Sequence, residues 1–212
     1  MQASEFIEGN HFDKYRSRHP IHCRLVHRFL TDCRDLVQSV TPHRVLEIGC
    51  GPGDLAQRAL LRPGVEYVGT DLSQRQVGIA ATRLPGQRFV VADAERLPFV
   101  DSFADLVVGC EVLEHLRDPE RALAEIARVS KRFALLSVPW EPIWRILNVA
   151  RGKYWSSFGN TPGHLQQFSR RAFRRLVTTR FRIIDQRSPF PWTMFLLEKF
   201  PCVPENQKRS PI

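Results

Sequence analysis

Apolar residues recur at helical spacing early in the chain. Ile21, Leu25, Val26, Phe29, Leu30, Cys33, Leu36, Val37 and Val40 fall on one face of a helix that Pro20 can open and Thr41-Pro42 closes. The period then shortens: Arg44-Val45-Leu46-Glu47-Ile48 reads as a buried strand that runs straight into Gly49, Gly51 and Gly53. Beyond the glycines the two periods alternate. The pattern predicts a helix from Asp54, a strand over 66–71, a helix over 73–84 with Ser73 as N-cap, and strands over 88–93 and 105–110. A helix over 119–130, capped by Asp118 with Pro119 in its first turn, and a strand over 133–138 follow. Parallel strands need crossovers, so the alternation specifies an α/β, doubly wound, mostly parallel sheet with helices on both faces.

After Pro139 the texture changes. Trp140, Trp144, Trp155 and Phe158 stand among Pro, Gly and basic residues, ahead of a helix over 169–179 and strands over 181–187 and 193–198, which bring the strand count to seven. The expected organisation is a helical lead-in over 1–43, a main domain over 44–200 with a cap-like insertion at 140–168, and a loose tail over 201–212. The density of aromatic side chains in the insertion fits a wall for a flat or lipophilic ligand, and equally a small core of its own.

Composition narrows the class without naming it. The 212 residues are 43% hydrophobic and 25% charged, enough for one well-buried core, so disorder of the whole chain is excluded. No stretch reaches the roughly 20 apolar residues of a membrane span, and the N-terminus has no apolar signal core; the expectation is a cytoplasmic protein without a transmembrane segment. Five scattered cysteines with no C-x-x-C pair argue against both a disulfide framework and a thiolate zinc site. The net charge of +9 suits an acidic small molecule, an anionic lipid or a nucleic acid, or simply a solvated basic surface.

The glycine cluster carries the first chemical information. Counting from Gly49 and Gly51, the third position of a dinucleotide fingerprint falls on Asp54, and the Gly-Lys-Ser/Thr of a phosphate loop is absent. What stands there is an acidic residue followed by three alternate glycines, Glu47-Ile-Gly49-Cys-Gly51-Pro-Gly53. Asp71 ends the second predicted strand and Asp93 the third. Over residues 44–139 this arrangement resembles class I S-adenosylmethionine-dependent methyltransferases of the small-molecule type. The resemblance implies S-adenosylmethionine as cofactor, with Asp71 on the ribose hydroxyls and Leu72 on the adenine face. It likewise implies Asp93 and the Ala94 amide on the adenine edge, and Glu47 and Cys110 near the methionine end.

A second cluster follows the fourth predicted strand. In Glu111-Val-Leu-Glu114-His115 the i, i+3, i+4 spacing gathers three polar groups on one face if the turn is α-helical, and His164 lies just before the late helix. Two carboxylates and two imidazoles make a donor set for Mg²⁺, Mn²⁺ or Zn²⁺. The pattern resembles the Glu-x-x-Glu-His … His of ubiquinone-pathway O-methyltransferases and of plant small-RNA 2′-O-methyltransferases. Alternatively these residues cap and brace a loop, with His115 a lone base.

The expectation is therefore methyl transfer to a small acceptor, at a hydroxyl oxygen, with Glu111, Glu114 and His115 as catalytic residues. C- or N-methylation of a quinone- or polyketide-like acceptor stays open. An RNA 2′-O-methyltransferase would suit the charge, but no appended RNA-binding module is visible. A non-catalytic cofactor-binding protein would show degraded cofactor residues, and these are intact.

Overall fold

The structure, a computed structural model, describes residues 15, 19–141, 143 and 165–201. Its first element is α1, Pro20–Ser39, with Pro20 in the first turn where its missing N–H costs nothing. The strands are β1 Arg44–Ile48, β2 Glu66–Asp71, β3 Arg88–Val91, β4 Ala104–Cys110, β5 Ser130–Pro139, β6 Phe181–Arg187 and β7 Trp192–Lys199. Three further helices are α2 Gln74–Arg83, α3 Pro119–Val129 and α4 Arg170–Val177. As the sequence predicts, Ser73 and Asp118 cap α2 and α3, accepting the Gln76 and Arg121 amides; Ser169 does the same for α4 at Ala172.

All seven strands form one sheet of order β3-β2-β1-β4-β5-β7-β6, parallel from β3 to β5, with β7 antiparallel to both of its neighbours. The chain winds outward from β1 to β3 and then returns to place β4 on the other side of β1. This reversal leaves a crevice at the carboxyl ends of β1 and β4, the place where such sheets bind ligands.

Side chains alternate across the strands and feed two cores. Leu46, Ile48, Val107, Leu136 and Phe195 pack with α3 and α4 through Leu123, Ile126, Phe173 and Val177. Val45, Leu106, Val108, Leu135 and Trp192 pack with α1 through Val26, Phe29, Cys33, Leu36 and Val37. Phe29 and Trp192 meet with ring centroids 5.1 Å apart, and each fully buried side chain of this size stabilises the fold by roughly 1.5–3 kcal/mol.

The departures from the sequence reading have local causes. The helix expected from Asp54 starts there but is short, widening over Ala56–Leu60 and closing with the Leu61 amide on the Ala56 carbonyl. Arg62-Pro63-Gly64 then ends it, since the residue before a proline is steered out of the helical region. β5 begins at Ser130, earlier than the apolar pattern indicates, because exposed Arg132 pairs with Glu198 of β7 rather than with the core. β3 stops at Val91, and Asp93 turns the chain by accepting the Glu95 amide on its carboxylate and the Arg96 amide on its carbonyl. Most of the expected insertion, with Trp144, Trp155, Phe158 and His164, lies outside the described residues, as does nearly all of the expected tail. No helix among the described residues is long and apolar enough to cross a membrane.

Candidate functional site

Register brings the sequence-predicted residues to one end of the sheet. Ile48 lies beside Thr70 of β2 and Gly109 of β4, and Asp71 beside Val91 of β3, so the turns after four neighbouring strands share one rim.

At that rim the chain leaves β1 through three glycines, all in the left-handed region: Gly49 at φ 68°, Gly51 at 51° and Gly53 at 83°. Their roles differ. A Cβ on Gly49 would lie 2.5 Å from a Val112 methyl, and one on Gly53 2.8 Å from Leu84, so these two permit close packing of the loop against its neighbours. A Cβ on Gly51 would meet nothing within 4 Å. Gly51 alone of the three offers bare backbone to open space, which is where a ligand can approach.

Two carboxylates hold this loop from opposite sides. Asp71, at the end of β2, accepts the Gly51 amide on one oxygen and the Ser73 amide on the other, each at 2.9 Å. On the far side Asp54, only 8% exposed, takes both guanidinium nitrogens of Arg83 at 2.9 and 3.1 Å, and Arg83 also donates to the Pro52 carbonyl at 2.8 Å. Arg83 reaches in from the end of α2. The sequence reading missed this clamp, because no periodicity links residues 29 positions apart.

Beneath the loop, Glu47 is buried within β1, accepts the Tyr67 hydroxyl at 2.5 Å, and through its carbonyl accepts the Thr70 hydroxyl. Burial, then the Glu47 charge, push the Tyr67 hydroxyl well above the usual tyrosine range, so Tyr67 stays a donor. Burial drives the Cys50 thiol upward too, reinforced by Glu47 and Asp71; Cys50 is an inert packing residue.

Leu72, beside Asp71, is 51% exposed, an apolar side chain left on the rim with no core to join. Asp93 is exposed and Ala94 buried. Their segment is fixed to α3: Glu95 accepts the Asp118 amide, Arg121 donates to the Glu95 carbonyl, and Arg128 donates to the carbonyls of Leu97 and Phe99.

Across the crevice, Cys110 ends β4 half-buried and Glu111 takes a left-handed conformation, φ 59°, while its amide donates to Ser137 of β5. Only Leu113–His115 is helical, as a tight 3₁₀ turn. The expected α-helical face of Glu111, Glu114 and His115 is therefore not formed: Glu111 precedes the turn with its backbone reversed. Glu114 is 2% exposed, and its carbonyl accepts the Leu165 and Gln166 amides, so the strand of chain just after residue 164 is tied to this turn. Val112 packs on Gly49, which sets the whole turn against the glycine loop.

Among the described residues no group of three or more His, Cys, Asp or Glu converges in a way that could hold a metal ion. Glu111, Glu114 and His115, three of the four expected ligands, thus do not make a metal centre between them, and His164 lies outside the described residues.

Residues 46–138 match the family model described as a methyltransferase domain. The chain is similar to the demethylmenaquinone methyltransferase of Thermotoga maritima, 38% identical over 46% of this chain and 43% of that protein. It is also similar to that of Thermus thermophilus, 35% identical over 51% of this chain and 53% of that protein. The chain spans about half the length of these curated relatives. Among solved structures, magnesium protoporphyrin IX methyltransferase from Synechocystis PCC 6803, with bound SAH, superposes with a TM-score of 0.66 at 18% identity, over 89% of this chain and 94% of that one. The chain has the Rossmann-like fold of these methyltransferases.

Proposed function

We propose that this chain is an S-adenosylmethionine-dependent methyltransferase acting on a small acceptor, with the cofactor across the carboxyl ends of β1, β2 and β4. One observation carries the reading. Gly51 presents uncovered, left-handed backbone beside a carboxylate that already holds its amide. The residues present fit a nucleoside. A carboxylate accepts about four hydrogen bonds, so after the Gly51 and Ser73 amides Asp71 retains acceptor capacity for a pair of ribose hydroxyls. Exposed Leu72 suits a flat base; Asp93 and the Ala94 amide suit its polar edge; Glu47 and Cys110 flank the methionine end.

When bound, the cofactor supplies an electrophilic methyl group on a sulfonium. What the protein adds is position and proton removal. His115, on the turn that packs against the glycine loop, is the base assigned here. It accepts the proton of an acceptor hydroxyl on a ring nitrogen while Glu111 and Glu114 shape the turn. A ring hydroxyl, with a pKa of about 10 like that of tyrosine, is within reach of such a base, whereas an aliphatic hydroxyl is not. The acceptor is accordingly read as a hydroxylated aromatic ring methylated on oxygen. Deprotonation also makes the adjacent ring carbon nucleophilic, and the names of the two curated relatives favour a second reading, carbon methylation of a quinone-type ring.

The test is incubation with methyl-labelled cofactor and a panel of catechols, phenols and reduced quinones. The proposal expects a labelled product, with the methyl position assigned by NMR; absence of transfer to every hydroxylated ring would overturn the acceptor assignment.

A further inference from the structure

The net charge of the protein is not spread evenly. Between Leu165 and Ile184 stand six arginines, Arg170, Arg171, Arg174, Arg175, Arg180 and Arg182, with no lysine and no acidic residue, so two-thirds of the +9 sits in one short segment. The fold lays that segment along one edge. α4 buries Phe173 and Val177 against the sheet and turns its arginine arc outward. Arg174 is anchored by Gln186 and by the face of Phe195, and Arg170 lies 3.8 Å over the ring of Trp140. Arg171, Arg175 and Arg180 are exposed and make no ion pair among the described residues. On β6, the edge strand beside α4, Arg182 and Arg187 are neutralised by Glu198 and Asp185, so the unpaired charge of this edge is carried by α4 and Arg180.

This face also has a direction. α4 starts at the rim end of the sheet, since the Glu141 amide just beyond β5 donates to the Phe168 carbonyl, and it runs down to Phe181 at the opposite end. At the rim end the arginines are flanked by exposed apolar side chains, Leu165 at 49% and Phe190 at 44%, and the Leu165 amide is bonded to the turn that holds His115.

We infer that the α4–β6 edge is a docking face for an anionic phospholipid surface, with Leu165 and Phe190 entering the headgroup region and the candidate site opening beside them. Guanidinium groups bind phosphate bidentately and remain charged, and a cluster of basic side chains is drawn to the anionic headgroups of a bilayer while neighbouring exposed apolar side chains can enter its interface. The apolar fringe favours lipid over nucleic acid, whose phosphates alone would not call for it. The inference goes beyond the methyl-transfer reading and is tested without acceptor or turnover.

Co-sedimentation with vesicles of phosphatidylglycerol and phosphatidylcholine is compared with pure phosphatidylcholine. Strong binding to the anionic vesicles only is expected, falling as salt is raised from about 0.05 to about 0.5 M. Arg171→Glu with Arg175→Glu should weaken it at least about tenfold. Arg88→Glu, one such charge reversal on the opposite edge strand, should leave it within about twofold, and each variant should keep its thermal transition. Equal binding to both vesicles, salt-insensitive binding, or an equal loss with Arg88→Glu would overturn the inference. So would arginine-dependent binding of a single-stranded RNA without vesicle binding. Should the double variant not fold, the lipid and salt dependence of the wild-type protein decides.

Discussion

At the scale of single residues, three glycines that look equivalent in the sequence make separable predictions. Gly51→Ala places a Cβ in open space but in a left-handed conformation that costs about 1–2 kcal/mol, so the protein should fold with a modestly lowered Tm and lose cofactor affinity. Gly49→Ala adds a collision with Val112 at 2.5 Å and should be the more destabilising of the two. Calorimetric melts and cofactor titrations of both variants check the difference; equal losses of stability would remove the distinction. Arg83→Met strips the guanidinium from buried Asp54 and from the Pro52 carbonyl. A cost of about 1–2 kcal/mol in loop preorganisation should appear as a roughly tenfold rise in the KM for cofactor, with kcat within about twofold. A kcat loss at unchanged KM would place Arg83 in the chemistry instead. Nothing in the sequence forecast this residue. Asp71 was legible because strand ends are periodic landmarks, whereas the Arg83–Asp54 and Tyr67–Glu47 pairs join elements only after folding.

Elements explain both what the pattern revealed and what it hid. Seven strands were readable from period and punctuation, down to the caps Ser73 and Asp118, because each buried run is bounded by residues that stop it. Where polar residues serve the fold the signal failed: Arg132 conceals the start of β5, and Asp93 closes β3 early. The Glu111-to-His115 turn misled for another reason. Its spacing is helical, but Glu111 adopts φ 59° to leave β4, and no periodicity reports a reversed backbone. The link between α3 and the segment after β3 yields a pH prediction. The Arg128 hydrogen bond, partly opposed by burial, holds the Glu125 carboxyl below its usual range, and the Leu97 amide adds to it. A carboxyl depressed in the folded state contributes stability above its unfolded value, near 4.5, and loses that contribution as pH falls through the folded value. Glu125→Gln should therefore lower Tm at neutral pH and flatten the decline of Tm below pH 4.5. An unchanged acid limb in the variant would show that other carboxylates set it.

For the whole molecule, the doubly wound topology explains why one rim collects Glu47, the glycines, Asp71, Leu72, Asp93 and the Cys110-to-His115 turn from strands separated in sequence. In the same fold α4, between β5 and β6, starts beside that rim and carries its arginines down the edge of the sheet. With His115 proposed as the base, turnover is expected to survive EDTA; loss of activity with chelator and recovery with Mg²⁺, Mn²⁺ or Zn²⁺ would instead support a metal role for Glu111, Glu114, His115 and His164. The central claim, however, is that this rim binds S-adenosylmethionine. It is tested most directly by titration calorimetry of the purified chain with S-adenosylmethionine and S-adenosylhomocysteine, alongside Asp71→Ala. The account predicts saturable binding of both ligands, one per chain, weakened by about 1–3 kcal/mol in the variant. No heat from either ligand at about 1 mM with the protein folded, or preferential binding of NAD, would contradict it.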